Sequence, residues 1–179
     1  MNLREDGIGL YLHIPFCERR CRFCAFFTRD YREDRGAVFV ADLIKEITLA
    51  GVAGLVRGRR VETVYFGGGT PTTLSAEQLL AILKACRESF DLAPLAEISI
   101  EANPAGVDAP ALKALRAGGV SRVSFGAQSF EEAELEAAGT PHRAEDIATA
   151  VRSARAAGMA TVNLDLIYGF PGQTPARWL

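Results

Sequence analysis

A parallel α/β sheet that curls toward a (β/α) barrel is the fold this 179-residue sequence predicts. Three observations predict it. Short β-rich runs alternate with longer helical patterns, which implies βαβ units. Crossovers in such units take one hand, so consecutive strands wind in one direction. Each predicted strand also ends in residues that can do chemistry, at the place where function collects in parallel sheets. An open doubly wound sheet is the alternative arrangement of the same units.

The first strand, residues 10–14, runs into a cysteine-bearing loop. Residues 37–50 place Val40, Leu43, Ile44 and Ile47 on one stripe, the helical period. A second strand, 62–66, ends in Gly67-Gly-Gly-Thr-Pro71. The helix at 75–90 opens with Ser75-Ala-Glu-Gln78, in which Ser75 and Gln78 can satisfy each other's backbone donors. Cys86, inside its apolar run, reads as a small buried residue. The strand at 97–101 ends in Glu101-Ala-Asn-Pro104. The helix at 108–117 is capped by Asp108, carries an early Pro110 and is stopped by Gly118-Gly119. After the strand at 122–125 comes Gly126-Ala-Gln128, and helices at 130–138 and 144–157 follow. The fifth strand, 161–167, carries Asn163 and Asp165 in an apolar run, then Tyr168-Gly-Phe-Pro-Gly172. Residues 172–178 read as a loop and the first turn of a helix, so a truncated chain with at least one further strand is the expectation.

Hydrophobic residues are 49% and charged residues 23%, the composition of one globular domain. A net charge of −2 gives no reason to propose nucleic acid or a membrane surface as partner. Residues 1–7 lack the apolar stretch of a secretory signal, and no run approaches a membrane span. A cytoplasmic, reducing compartment is expected, where clustered thiols favour metal or redox roles over disulfides.

Cys17, Cys21 and Cys24 form C-x3-C-x2-C. A structural zinc site takes four protein ligands, and an ordinary iron–sulfur cluster is held by four thiolates. Three close thiols would leave one iron of a cubane cluster open to a substrate or cofactor. Zinc with His13 as a fourth ligand is the competing reading. Arg19, Arg20 and Arg22 read either as a solvated rim or as cations that lower the thiolate pKa values and offset cluster charge. Phe23 would shield one face of a cluster. The three glycines after the second strand read as a flexible turn or as bare backbone that a ligand can approach. Glu101 reads as a strand-end charge or a site residue, and Gln128 as a loop or site residue. Asp165, among Leu164, Leu166 and Ile167, needs a partner such as a ligand hydroxyl, because an unpaired buried carboxylate is costly.

Together, Tyr11-Leu-His-Ile-Pro-Phe-Cys17 through Cys24, Phe66-Gly-Gly-Gly-Thr-Pro71, Glu101-Ala-Asn-Pro104, Ser124-Phe-Gly-Ala-Gln-Ser-Phe130 and Asp165-Leu-Ile-Tyr-Gly-Phe-Pro-Gly172 resemble the radical S-adenosylmethionine (SAM) proteins. More narrowly, they resemble the oxygen-independent coproporphyrinogen III oxidase group, which includes heme-chaperone relatives. The resemblance implies a partial (β/α)6 TIM-like barrel, with five strands present and the last missing. Residues 1–179 would be the core domain, with the carboxyl-terminal substrate or heme region absent. It implies that Cys17, Cys21 and Cys24 ligate a 4Fe–4S cluster whose fourth iron chelates SAM, from which a 5′-deoxyadenosyl radical can be released. It places Tyr11 beside the cofactor, Gly68, Gly69, Thr70 and Glu101 at its methionyl end, and Gln128 and Asp165 on the ribose. No residue is assigned a catalytic role.

Two positions depart from the family pattern. Thr140 stands where an arginine usually contacts the cofactor, and Phe26 stands where the coproporphyrinogen dehydrogenases carry a fourth cysteine. Phe26 points to the chaperone branch, with porphyrinogen decarboxylation as the alternative activity. The partners implied are heme or a porphyrinogen, an electron donor such as flavodoxin or ferredoxin, and a heme-acceptor protein.

Overall fold

The computed structural model describes residues 7–54, 56 and 58–178. The readings made on residues 1–6 and on Leu179 lie outside the described residues. The strands are β1 (Ile8–Ile14), β2 (Phe16–Cys17), β3 (Arg29–Asp30), β4 (Val61–Gly68), β5 (Leu92–Ala102), β6 (Arg122–Gln128) and β7 (Thr161–Leu166). The helices are α1 (Glu33–Ala53), α2 (Ala76–Ser89), α3 (Ala109–Ala117), α4 (Glu132–Ala138), α5 (Ala144–Ala156) and α6 (Pro175–Trp178). A 3-10 turn spans Pro71–Thr73.

Five strands form one parallel sheet in the order β1-β4-β5-β6-β7. The order never reverses. A doubly wound sheet needs a reversal to place helices on both faces, so the same-handed crossovers here stack the helices on one face. α1 packs on α2, α2 on α3, and α3 on α5. All five predicted strands and all five predicted helices are present; four of the strands and α1 are longer than expected, the others slightly shorter. Among the strands β5 is the largest extension. Its first residues hold Pro94 and the 96% exposed Leu95, and only Leu92 of that stretch pairs with β4. The two-residue pair of β2 and β3, which brackets the cysteine loop, has no periodicity long enough to read.

The covered face is the core. Leu12 and Ile14 of β1, Val64 and Phe66 of β4, Ile98 and Ile100 of β5, and Val123 and Phe125 of β6 are buried against Leu79, Ile82, Leu83 and Leu112 of the helices. Cys86 is fully buried in the same cluster, as its setting predicts. Successive strand residues alternate faces, so the remaining parity faces away from the helices, and nearly every residue there is polar or glycine.

The helix ends follow the local sequence. Ser75 Oγ accepts from Gln78 N at 3.2 Å, and Gln78 Oε1 accepts from Ser75 N at 2.9 Å. Asp108 accepts from Ala111 N at 2.7 Å. Replacing Ser75 by alanine removes the acceptor for the Gln78 N–H. It should lower stability by about 1 kcal/mol, read as a shift in the urea midpoint with an unchanged slope.

Candidate functional site

In-register partners in parallel strands share a face. Tyr11 pairs with Tyr65, Tyr65 with Ser99, Glu101 with Ser124, Ser124 with Asn163, and Gly126 with Asp165. The uncovered face therefore collects Tyr11 and His13, Tyr65, Ser99 and Glu101, Ser124 and Gln128, and Asn163 and Asp165. At its carboxyl-terminal end lies a cavity of about 490 Å³, within the usual range for small-molecule sites. Cys17, Cys21, Cys24, Gly68, Gly69, Thr70, Glu101, Gln128 and Asp165 all line it. Of the predicted site residues only Tyr11 is off its wall, and it stacks on the lining residue Tyr65 at 6.0 Å. A second depression of about 780 Å³ at the opposite strand ends, beside Pro94 and Leu95, carries none of the motif residues.

The three thiols sit half-buried on the cavity rim. Thr70 Oγ1 donates to Cys17 Sγ at 3.7 Å, and a Cβ on Gly69 would stand 3.0 Å from that sulfur. Glycine at this point lets the turn approach the thiol. Burial raises the Cys17 and Cys21 thiol pKa values, and the neighbouring thiols add to the rise. The arginines oppose this only weakly, so the prediction of depressed thiol pKa values is not met. The arginines are exposed, as a solvated rim would be, but they are also tied down: Arg19 and Arg22 bind backbone carbonyls of residues 137–140, and Arg20 donates to Cys24 O at 3.2 Å. Among the described residues, no three histidine, cysteine or carboxylate groups stand at the spacing one metal ion needs. A mononuclear zinc site wants its donors about 2.0–2.3 Å from one point, whereas a cubane takes one thiolate on each of several irons. Three half-buried thiols around one cavity are a donor set of the kind an iron–sulfur cluster takes. His13, the fourth ligand of the zinc reading, is exposed, its Nδ1 lying 3.3 Å from Tyr11 Oη and its ring covering Gly68.

The glycine turn is tied down by its own N–H groups. Gly68, at φ 114°, donates to Glu101 Oε2 at 3.1 Å. Gly69 N donates to Ile14 O at 2.8 Å and Thr70 N to Phe16 O at 2.7 Å. The donors are spent inside the protein, so the turn can offer a ligand carbonyl oxygens, acceptors suited to an ammonium group. Glu101 also accepts from Tyr65 Oη at 2.6 Å. Burial and then the Glu101 carboxylate raise the Tyr65 phenol pKa, so Tyr65 remains the donor. Burial and Glu101 likewise raise that of Tyr11.

Asp165 is not buried among its sequence neighbours as the apolar run predicted. Leu164 belongs to the opposite parity, and Asp165 is exposed on the polar face. It accepts from Ser124 Oγ at 2.7 Å and from Asn163 Nδ2 at 2.8 Å. Gln128, at φ 65°, is the one non-glycine residue in the left-handed region among those described. The strand shifts register there, turning Gln128 onto the cavity wall. Thr140 does not face the cavity. It is buried, with its hydroxyl donating to His142 O at 2.9 Å and Leu135 O at 3.3 Å.

Tyr65, Ser124 and His142 were not singled out as site residues. The first two share the two-residue parity of Glu101 and Gln128, which would have found them. His142 has no such signal. It is buried, accepts at Nδ1 from Asn103 Nδ2 at 3.1 Å and donates from Nε2 to Ala127 O at 3.0 Å, as a neutral ring can. It thereby links the ends of β5 and β6 beneath the cavity. Burial lowers its pKa, with the Ala127 carbonyl and then Asp146 and Glu132 opposing.

A parallel partial barrel with a three-thiol loop at its carboxyl-terminal mouth is the arrangement of one large protein class, and the comparisons agree. The family profile of the Radical SAM superfamily matches residues 11–179, and the chain belongs to that superfamily. The curated relatives it matches include oxygen-independent coproporphyrinogen III oxidases and HemW heme chaperones. It is 39% identical over 172 residues to the oxygen-independent coproporphyrinogen III oxidase of Bradyrhizobium diazoefficiens, covering 96% of this chain and 38% of that protein. It is 38% identical over 172 residues to heme chaperone HemW of Bacillus subtilis, covering 92% and 43%. The solved structure of coproporphyrinogen III oxidase (HemN) from Escherichia coli superposes with a TM-score of 0.85 at 36% identity, over 97% of this chain and 40% of that one. The chain thus spans about two fifths of the length of the curated relatives it matches.

The His142 bridge predicts a pH dependence. Folded His142 stays neutral where the unfolded imidazole, at 6.5, takes a proton. Its contribution is whole above that value and is lost as pH falls through the lowered folded value. Wild type should therefore lose more stability than His142→Gln between about pH 7.5 and about pH 5. Parallel urea titrations check this, and a matching loss in both proteins would refute the bridge.

Proposed function

We propose that residues 1–179 form the cluster- and cofactor-binding core of a heme chaperone that binds heme and passes it to an acceptor protein. The observation that carries the core reading is the convergence of three half-buried thiols, a glycine turn, Glu101, Gln128 and Asp165 on one cavity. Cys17, Cys21 and Cys24 would hold the 4Fe–4S cluster. The Gly68–Thr70 turn and Glu101 would receive the methionyl ammonium of SAM, and Gln128 and Asp165 its ribose hydroxyls, with Tyr11 alongside. When bound, the pair supplies one-electron cleavage of the sulfonium and a 5′-deoxyadenosyl radical. The protein's own part is to hold and shield: Tyr65 and the Gly68 N–H fix the Glu101 carboxylate, Ser124 and Asn163 fix that of Asp165, and Phe23 covers the rim edge-on to Phe170.

Phe26 supports the chaperone branch. It lies on the cavity wall, 68% exposed, at the position of a fourth thiol in the dehydrogenases. The oxidase name of the Bradyrhizobium relative favours a second reading, oxidative decarboxylation of coproporphyrinogen III to protoporphyrinogen IX. The full chain separates the two. Stoichiometric binding in a heme titration, with no decarboxylated product from coproporphyrinogen, is the chaperone result; turnover to that product would overturn it. No helix among the described residues is long and apolar enough to cross a membrane, and a cytoplasmic location with a flavodoxin or ferredoxin as electron donor completes the proposal.

Cys21→Ala should abolish cluster retention after anaerobic reconstitution, because two thiols cannot anchor the cubane; wild-type iron content in that variant would refute the ligand assignment. Asp165→Asn should leave iron content intact and weaken SAM binding about tenfold, since hydrogen bonds to charged groups are worth about 1.5–3 kcal/mol. An unchanged affinity by calorimetry would remove Asp165 from the site.

A further inference from the structure

The loop that carries the three cysteines has little structure of its own. Between β2 and β3 its one internal backbone bond is Cys24 N to Cys21 O at 3.2 Å. Something outside the loop must fix the thiols.

The carboxyl-terminal end of α4 does so. A helix leaves its last four carbonyls without helical partners. At α4 these are Leu135, Glu136, Ala137 and Ala138. Thr140 N donates to Leu135 O at 3.1 Å, and Gly139 N to Glu136 O at 3.1 Å. The other two are met from the cysteine loop: Arg22 Nη1 reaches Ala137 O at 3.4 Å and Arg22 N reaches Ala138 O at 2.8 Å. Arg19 continues the series. Its Nε and Nη2 donate to Gly139 O at 3.3 and 3.0 Å, and Nη2 also donates to Thr140 O at 2.7 Å. Four consecutive carbonyls, 137 to 140, thus accept from two arginines flanking Cys21. Gly139, at φ 68°, makes the fit possible, since a Cβ there would stand 3.2 Å from Arg22 Cγ.

We propose that Arg19 and Arg22 are positioning residues that clamp the cysteine loop onto the end of α4 and set Cys21 in place before a cluster arrives. Their hydrogen-bonding groups are directed at carbonyls, so they act through geometry, with charge compensation of the thiols a minor effect. The guanidinium fork of Arg19 spans two carbonyls, which a lysine ammonium on a flexible stem does not reproduce. This role in cluster retention rests on the reading that Cys17, Cys21 and Cys24 hold the cluster; the clamp itself is testable without it.

The test uses the full chain, with Arg19→Ala/Arg22→Ala and the single variant Arg19→Lys. In cluster-free protein, hydrogen exchange at the amides of residues 21–24, corrected for intrinsic rates, should accelerate roughly tenfold in the double variant. After anaerobic reconstitution, loss of iron to a chelator should also accelerate roughly tenfold, with Arg19→Lys between the two. Unchanged exchange in the cluster-free double variant overturns the clamp. Equal rates of iron loss from loaded wild type and double variant overturn its role in cluster retention. A wild type that takes up no cluster refutes the thiol assignment, and the exchange measurement still decides the clamp.

Discussion

In-register pairing of five parallel strands is the constraint on which the rest of the molecule depends. Side chains alternate along a strand, and partners in a parallel pair share a face. Register therefore sorts the whole sheet at once: Leu12, Phe66, Ile100 and Phe125 to the helices, and Tyr65, Ser99, Glu101, Ser124 and Asp165 to the other side. A one-residue slip in any strand would exchange its two sets and bury its polar groups against the helices.

The polar face is already connected before any ligand enters. Tyr65 and the Gly68 N–H hold Glu101, Ser124 and Asn163 hold Asp165, and Asn103 and Ala127 meet on His142. Glu101 and Asp165 are each oriented by neutral donors, an arrangement suited to a cationic or hydroxyl-bearing partner. Orientation in advance lowers the cost of ordering these side chains on binding.

Much of this was legible in the sequence because it is periodic or punctuated. Alternating apolar residues located the strands, Ser75 to Gln78 located a helix start, and the cysteine spacing located the mouth of the cavity. What escaped was decided by contacts between distant segments. The apolar run around Asp165 hid that its neighbours face the other way. Three arginines beside three cysteines invited an electrostatic reading, whereas two of them are occupied by carbonyls more than a hundred residues away. The side chain of Thr140 turned inward to finish a helix, which nothing at that position announces.

That separation has a consequence for how the protein is made. Strand order in the sheet is strand order in the chain, so each strand can dock on its predecessor as it is synthesised, with short loop closures. The cysteine loop is the exception. It is translated before the carbonyls that hold it, which lie 115 to 121 positions later. An earlier segment thus waits for a later one, and until α4 is complete the stretch around Cys21 lacks the carbonyls that hold its two arginines.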